Sequence, residues 1–146
     1  MIFAREITAM TRKKGLLILD DERSVTFGLS RCLQSENVQV ICCNDPDSAK
    51  RAFAKEFVDA VIADVNLSPV NPQESLEFIQ HVRSRNRQIP VIMMSGTDDM
   101  KSEALHEGAT HFFQKPLDVD ELIGLLHSLG FEVGPFQRGY RRVFIG

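Results

Sequence analysis

The chain alternates short apolar segments with segments of helical periodicity, and this alternation restricts the folds it can adopt. Five runs rich in β-branched and other apolar residues recur along its 146 residues. They cover residues 16–19, 38–43, 60–63, 90–94 and 110–113. Short continuous apolar runs of this kind are typical of strands that are buried on both faces. We therefore predict five buried strands.

After each run, apolar residues recur at three- and four-residue spacing, as they do on one face of a helix. These five sets begin at Val25, Ala49, Leu76, Met100 and Leu122. Helix starts are indicated by Asp45-Pro46, an N-cap followed by proline, and by Asp118 with Glu121, a capping-box pattern. Strict alternation with short connections predicts parallel strands and right-handed crossovers, hence a doubly wound α/β sheet with helices on both faces.

One domain accounts for the length of the chain. With 43% apolar and 25% charged residues, it can bury a single core. We place this domain at residues 15–130, between an N-terminal extension at residues 1–14 and a short C-terminal tail at residues 131–146. Within the tail, Phe144 and Ile145 are apolar enough to dock against the domain.

Charge and cysteine content favour a cytoplasmic protein. The net charge is −3 and no basic face is evident, so we expect no contact with nucleic acid. Cys32, Cys42 and Cys43 lack disulfide-framework or metal spacing, which suits a reducing compartment. We expect the neighbouring Cys42 and Cys43 to pack inward on both faces of their strand. Neither a signal peptide nor a membrane-spanning run is evident, so we predict no membrane contact.

Polar residues follow four of the five predicted strands. They are Asp20, Asp21 and Glu22 after the first strand, Asp64 and Asn66 after the third, Ser95 and Thr97 after the fourth, and Lys115 after the fifth. Ligands of doubly wound sheets bind at the carboxyl ends of the strands, so these side chains should lie together. Carboxylates, a hydroxyl and an ammonium group would then converge on one edge of the sheet.

Such a set of groups suits phosphoryl transfer. Carboxylates a few ångströms apart repel one another and need a cation or a proton. Mg²⁺ is typically held by one or two carboxylates together with phosphate oxygens. One aspartate is then available to attack an activated phosphoryl group, while the metal and a lysine offset the charge on its oxygens.

Four motifs resemble the receiver domains of two-component response regulators, over residues 15 to about 130. LLILDDE resembles the family's first strand with its acidic pair, ADVN the phospho-acceptor strand, VIMMSG the strand that carries the hydroxyl, and HFFQKPL the strand that ends in lysine and proline. The resemblance implies a flavodoxin-like fold with strand order 2-1-3-4-5 and five helices. It also implies a phosphodonor, either a sensor histidine kinase or a histidine phosphotransfer protein.

The resemblance also implies roles for the matching residues. Asp64 would be phosphorylated, and Lys115 and Ser95 would contact the phosphoryl group. The implied Mg²⁺ ligands are Asp20, Asp21, Asp64 and Asn66, with Asp20 acting largely through water and Asn66 through its backbone carbonyl. We expect no enzymatic activity beyond self-phosphorylation from a donor and slow autodephosphorylation.

The resemblance further implies which residues take part in activation and which affect the lifetime of the phosphorylated state. Phe112 occupies the position of an aromatic side chain that turns inward on activation, so Ser95 and Phe112 would form the switch. Ordinary packing stays open as an alternative for Phe112. Asn66 and Thr97 would tune the lifetime of the aspartyl-phosphate. The output surface would be the fourth helix, fifth strand and fifth helix, which would contact a downstream target or output domain, or form a homodimer.

The chain departs from the family pattern after the acceptor aspartate. The family commonly has a short loop there with a glycine, whereas residues 66–75 form a longer loop without one. This motivates one alternative, a pseudo-receiver that binds partners without taking phosphate. A second alternative is a haloacid-dehalogenase-like phosphatase, which shares the aspartate, Mg²⁺ and lysine but requires an aspartate where Asn66 stands. The domain would act alone or as part of a longer protein.

Overall fold

A computed structural model of the chain describes residues 12–65, 73–134 and 142–146. In this part of the chain the strands are β1 (Lys14–Leu19), β2 (Val38–Cys43), β3 (Ala60–Asp64), β4 (Val91–Ser95), β5 (His111–Gln114), β6 (Leu117–Asp118) and β7 (Phe144–Ile145). The helices are α1 (Arg23–Leu33), α2 (Pro46–Lys55), α3 (Glu74–Arg85), α4 (Lys101–Glu107) and α5 (Val119–Ser128). All five predicted strands are present, with their ends shifted by one or two residues at most.

The five predicted strands form one parallel sheet in the order β2-β1-β3-β4-β5. This confirms the predicted doubly wound fold and its strand order. Leu19 is paired with Ala63, and Ser95 is paired with Gln114, so the strands end at nearly the same level. The residues that follow β1, β3, β4 and β5 are therefore brought to one edge of the sheet.

Helices cover both faces of the sheet because successive side chains of a strand point to opposite sides. On one face, Leu17, Val61 and Met93 of the sheet pack in a cluster with Ala49 of α2, Phe78 and Ile79 of α3 and Ala104 of α4. On the other face, Leu16, Ile18, Ile62 and Ile92 pack with Val25 and Leu29 of α1 and Leu122 and Leu126 of α5. This two-sided burial explains why the central strands β1, β3 and β4 are apolar over most of their length.

The predicted helix starts are also found. The Asp45 carboxylate accepts a hydrogen bond of 2.8 Å from the Ser48 N–H, and Pro46 is the first residue of α2. Asp118 caps α5 and accepts a hydrogen bond of 3.1 Å from the Asp120 N–H. Across the described residues, every helix is too short or too polar to cross a membrane.

The prediction that Cys42 and Cys43 both pack inward is wrong. Cys43 is buried, but Cys42 is exposed. β2 lies at the edge of the sheet and pairs with β1 alone. An edge strand is covered less completely than a central one, so only one of the two alternating side chains is enclosed.

Contacts near the amino end of the sheet include a residue that precedes β1. The Arg12 guanidinium donates two hydrogen bonds of 2.8 Å to the Asp59 carboxylate, and the Gly15 N–H donates another of 2.8 Å. These hydrogen bonds, chiefly that from the Arg12 side chain, hold the pKa of Asp59 below its ordinary value. They tie the start of β1 to the start of β3.

The predicted division of the chain into extension, domain and tail remains a prediction.

The segment at residues 142–146 docks against the domain. β7 pairs antiparallel with β6, and the Val119 N–H donates a hydrogen bond of 2.9 Å to the Val143 carbonyl. Of the two residues expected to dock, Ile145 packs against the domain, whereas the side chain of Phe144 stays exposed. A strand there was not predicted, because two residues are too few to give a periodic signal. Residues 135–141 of the predicted tail lie outside the described residues.

Candidate functional site

Three carboxylates meet at the carboxyl edge of the sheet. Asp20 and Asp21 follow β1, and Asp64 ends β3. Each offers an oxygen within 4.8 Å of the others, and no other group of three such potential metal ligands occurs in the described part of the chain. Asp20 is 0% exposed and Asp64 is 5% exposed, whereas Asp21 faces solvent. Two buried carboxylates at this edge need compensating positive charge.

Lys115 supplies that charge from the turn after β5. Its Nζ donates a hydrogen bond of 2.7 Å to Asp20 Oδ2 and one of 3.3 Å to Asp64 Oδ2. Burial by itself would lower the pKa of Lys115, but the hydrogen bonds and charges of Asp20 and Asp64 outweigh burial and raise it. The ammonium group therefore stays protonated at neutral pH and offsets part of the negative charge.

The pKa of Asp21, the third carboxyl group of the cluster, is raised above its ordinary value. Burial raises the pKa of Asp21, and the charge of Asp20, a hydrogen bond with Asp20 and the charge of Asp64 raise it further. Asp21 therefore holds its proton more tightly than an isolated aspartate does, first because of burial and then because of the neighbouring carboxylates. Such a cluster favours uptake of a proton or of a cation.

Ser95 and Lys115 lie on adjacent strand ends and are joined through the backbone. The Lys115 N–H donates a hydrogen bond of 2.6 Å to the Ser95 carbonyl. Ser95 is fully buried, and its Oγ accepts a hydrogen bond of 3.2 Å from the Thr97 N–H. Thr97 is exposed. A backbone hydrogen bond thus holds Ser95 and Lys115, which carry the predicted hydroxyl and ammonium groups, next to each other.

Phe112 lies in the middle of β5, opposite Met93 in the register of the sheet. It is half-buried and packs against the cluster that α2, α3 and α4 cover. This place is compatible with both interpretations of Phe112, the switch and ordinary packing. Both remain predictions.

Asn44 is a supporting residue that was not predicted. Its Nδ2 donates a hydrogen bond of 2.8 Å to the Asp20 carbonyl and one of 3.1 Å to Thr26 Oγ1. The hydrogen bonds tie the residue after β2 to the residue after β1 and to α1. Asn44 directly follows β2 at the same edge of the sheet, so a survey that included the second strand would have identified it.

Ser75 is a second unpredicted support and comes from α3. Its fully buried hydroxyl donates a hydrogen bond to the Val65 carbonyl, directly after Asp64. The Val65 N–H in turn donates a hydrogen bond of 2.8 Å to the Met94 carbonyl. No motif marks Ser75 in the sequence, since a serine near a helix start usually serves as a cap. Asn66 and the remainder of the loop through residue 72 lie outside the described residues.

The chain matches a known protein family. The model of the response regulator receiver domain matches residues 16–127. This chain belongs to that family. The receiver domain resembles the regulatory protein AtoC of Escherichia coli (strain K12), with 30% identity over 115 residues that cover 77% of this chain and 24% of AtoC. It also resembles the response regulator protein TodT of Pseudomonas putida, with 28% identity over 129 residues that cover 87% of this chain and 55% of TodT.

Solved structures of receiver domains have the same fold. The chemotaxis response regulator CheY4 of Vibrio cholerae matches with a TM-score of 0.69 and 28% identity, over 80% of this chain and 98% of CheY4. TrrA of Thermotoga maritima, a structure in complex with Mg²⁺-BeF, matches with a TM-score of 0.68 and 22% identity, over 80% of this chain and 98% of TrrA. The second likeness concerns the fold alone.

Family membership places this receiver domain among two-component signalling proteins rather than conventional enzymes. It thereby disfavours the haloacid-dehalogenase alternative. The chain spans between about a quarter and about half of the length of the curated relatives AtoC and TodT.

Proposed function

We propose that this receiver domain is a phospho-acceptor switch in which Asp64 takes a phosphoryl group. The main support is the position of the Asp64 carboxylate, which is 5% exposed and lies 3.3 Å from Lys115 Nζ. A carboxylate in this setting is held close to a cation and beside two further carboxylates, as a phosphoryl-accepting nucleophile requires. The donor is the phosphohistidine of a sensor histidine kinase or a histidine phosphotransfer protein.

The acidic cluster fits the preferences of Mg²⁺. Asp20, Asp21 and Asp64 offer oxygens within 4.8 Å of one another, and the exposure of Asp21 leaves room for the waters that Mg²⁺ retains. Burial raises the pKa of Asp21, and the negative charges of Asp20 and Asp64 raise it further. Asp21 and Asp64 would hold the metal directly and Asp20 largely through water, with the Asn66 carbonyl as a further ligand. Bound Mg²⁺ supplies neutralisation of negative charge on the phosphoryl oxygens.

Phosphoryl transfer exchanges one bond to phosphorus for another. An Asp64 carboxylate oxygen attacks phosphorus as the bond from phosphorus to the donor's imidazole nitrogen breaks, and the electron pair of that bond remains on the nitrogen. Lys115 is close enough to Asp64 for its ammonium group to offset the negative charge of the transferred phosphoryl oxygens. The Ser95 hydroxyl, at the neighbouring strand end, donates a hydrogen bond to a phosphoryl oxygen. Asn66 and Thr97 tune the lifetime of the product.

Phosphorylation then changes the surface of the domain. It replaces the single negative charge of the Asp64 carboxylate with the roughly two negative charges of a phosphoryl group, beside Ser95 and Lys115. Ser95 moves toward the phosphate and Phe112 turns into the space it leaves. The altered face is formed by α4, β5 and α5, and it binds a downstream target, an output domain or a second copy of the chain. The domain works in the cytoplasm and does not itself contact nucleic acid or membrane.

Intact-mass spectrometry tests the acceptor chemistry. The full chain is incubated with acetyl phosphate and Mg²⁺, together with Asp64→Asn and with Asp99→Asn, a control in an exposed turn outside the cluster. We expect one hydroxylamine-labile phosphoryl group on the wild type and on Asp99→Asn. We expect none on Asp64→Asn and none when EDTA removes the metal.

Two other outcomes distinguish the alternatives. If the wild type gains no mass and also fails to bind beryllofluoride, the acceptor function is rejected and the pseudo-receiver is favoured. Sustained turnover of p-nitrophenyl phosphate that disappears in Asp64→Asn would instead indicate a phosphatase.

A further inference from the structure

Residues 142–146, which we name the strap, lie beside the turn that carries Lys115. β7 of the strap pairs with β6, with Ile145 opposite Leu117 and Phe144 opposite Asp118. β6 begins two residues after Lys115. The strap is therefore hydrogen-bonded to the short segment that connects the lysine to α5.

The two side chains of β7 point in opposite directions. Ile145 faces inward and packs against the cluster that α1 and α5 cover. A Cβ atom on Gly28 of α1 would lie 3.2 Å from Ile145 Cδ1, so the Ile145 side chain lies close to the backbone of α1. Phe144 faces outward and is 56% exposed. Ile145 is thus the side chain that seats the strap between α1 and β6.

Further contacts fasten the strap to the start of α5. The Val119 N–H donates to the Val143 carbonyl, which satisfies an N–H of the first helical turn that has no partner within the helix. Arg142 Nη2 lies 3.1 Å from Asp118 Oδ2. The strap therefore restrains both ends of the short connection between Lys115 and α5.

The backbone of the strap also borders the side chain of Lys115. A Cβ atom on Gly146 would lie 3.1 Å from both Cγ and Cδ of Lys115 and 3.4 Å from its Cε. A lysine side chain has a flexible four-carbon stem that can adopt many rotamers. Gly146 of the strap therefore lies beside the carbon stem of Lys115. The Nζ atom at the end of this stem reaches Asp20 and Asp64.

We propose that Ile145 is a positioning residue for Lys115: by seating the strap, it holds the lysine stem in the orientation that brings Nζ to Asp64. This inference rests on the proposed phosphoryl transfer to Asp64. Loss of the Ile145 side chain leaves Lys115 chemically intact but less ordered, so it lowers the rate of transfer rather than abolishing it. Neither the carboxylates nor the hydroxyl of the site changes.

The rate constant of phosphorylation by acetyl phosphate at saturating Mg²⁺ measures this effect. Ile145→Ser is compared with Phe144→Ser, which makes the same change on the outward face of the same strand. A second disrupting variant, Gly28→Leu, pushes the strap away from α1 and leaves its sequence unchanged. We expect Ile145→Ser and Gly28→Leu to slow phosphorylation about three- to tenfold, Ile145→Val to restore most of the rate, and Phe144→Ser to react like the wild type.

A double-mutant cycle separates positioning from a general loss of structure. In a Lys115→Ala background, Ile145→Ser should have no further effect, because its influence passes through the lysine. An equal slowing with and without Lys115, or an equal effect of Phe144→Ser, would overturn the proposal. Thermal unfolding of each variant establishes that it is folded under the assay conditions.

A readout that requires no phosphorylation keeps the two hypotheses distinguishable. If the wild type takes no phosphoryl group, the proposed function fails, but NMR signals of the Lys115 ammonium group still report its hydrogen bonds. We expect Ile145→Ser to broaden or shift these signals and to speed hydrogen exchange at the Val119 amide, while Phe144→Ser leaves both unchanged. Unaltered Lys115 signals in a variant whose Val119 amide exchanges faster would reject the positioning role.

Discussion

Lys115 Nζ lies closer to Asp20 than to Asp64, at 2.7 Å against 3.3 Å. Without a metal, the ammonium group is thus the main counter-charge of a carboxylate that is fully buried. The arrangement makes Lys115 part of the stability of the domain as well as of its proposed chemistry.

Lys115→Met should destabilise the metal-free domain by about 3 kcal/mol, because it removes the ammonium group that lies beside the buried carboxylates of Asp20 and Asp64. Mg²⁺ should recover much of this loss by binding the same carboxylates. Urea unfolding of the wild type and Lys115→Met, each in EDTA and in Mg²⁺, measures both effects. Lys101→Met, an exposed lysine at the start of α4, is the control. A loss of the same size in EDTA and in Mg²⁺ would contradict this account.

Ser75→Ala should cost about 1 to 3 kcal/mol of unfolding free energy, since it removes the donor to a buried carbonyl, that of Val65. Because Val65 follows Asp64, we also expect slower phosphorylation by acetyl phosphate. Ser84→Ala, which removes an exposed hydroxyl near the other end of α3, is the matched control. The prediction fails if both variants unfold at the same urea concentration.

The Asp59 carboxylate should make the domain sensitive to acid. Its pKa is lowered in the folded state by the hydrogen bond from Arg12, so its contribution is complete above the ordinary aspartate pKa and is lost as the pH falls through the folded value. Both side chains are partly exposed, which limits the contribution to about 1 kcal/mol. We expect Asp59→Asn to be less stable at pH 7 and to lose less stability between pH 5 and pH 2, as followed by urea unfolding at each pH. Asp99→Asn, in an exposed turn before α4, is the control variant.

Two glycine-to-alanine changes should act in opposite directions. A Cβ atom on Gly15 of β1 would lie 1.7 Å from the Phe57 carbonyl oxygen, so Gly15→Ala forces the backbone apart and should cost about 3 kcal/mol. A Cβ atom on Gly124 of α5 would meet nothing within 4 Å, so Gly124→Ala should stabilise the helix by about 0.5 to 1 kcal/mol. Thermal unfolding of the two variants checks both signs in one experiment.

The sequence was sufficient to predict the fold because its local and global signals agree. Each buried strand is apolar on both faces, as two covering layers require, and the caps at Asp45 and Asp118 mark helix starts. The convergence of Asp20, Asp64 and Lys115 followed from topology, since parallel strands of one sheet deliver their carboxyl ends to the same edge. Their roles in catalysis are still predictions.

The features that were not predicted depend on tertiary contacts without a local pattern. Cys42 is exposed because the edge strand β2 is covered less completely than a central strand, and the apolar run at residues 38–43 does not itself show which side chain stays open. Ser75 acts through a carbonyl ten residues earlier in the chain. Ile145 belongs to a two-residue strand whose partner is just as short. In each case the decisive partner lies on another element.

The hydrogen bond between Lys115 and Asp20 also bears on the order in which the domain forms during synthesis. The two residues are 95 positions apart in the chain. A nascent chain that has emerged as far as β3 can pair β1 with both of its neighbours, but it does not yet contain Lys115. Until Lys115 leaves the ribosome, Asp20 and Asp64 must stay hydrated or bind another cation. The acidic edge of the sheet therefore reaches its native state only after β1, β2 and β3 have assembled.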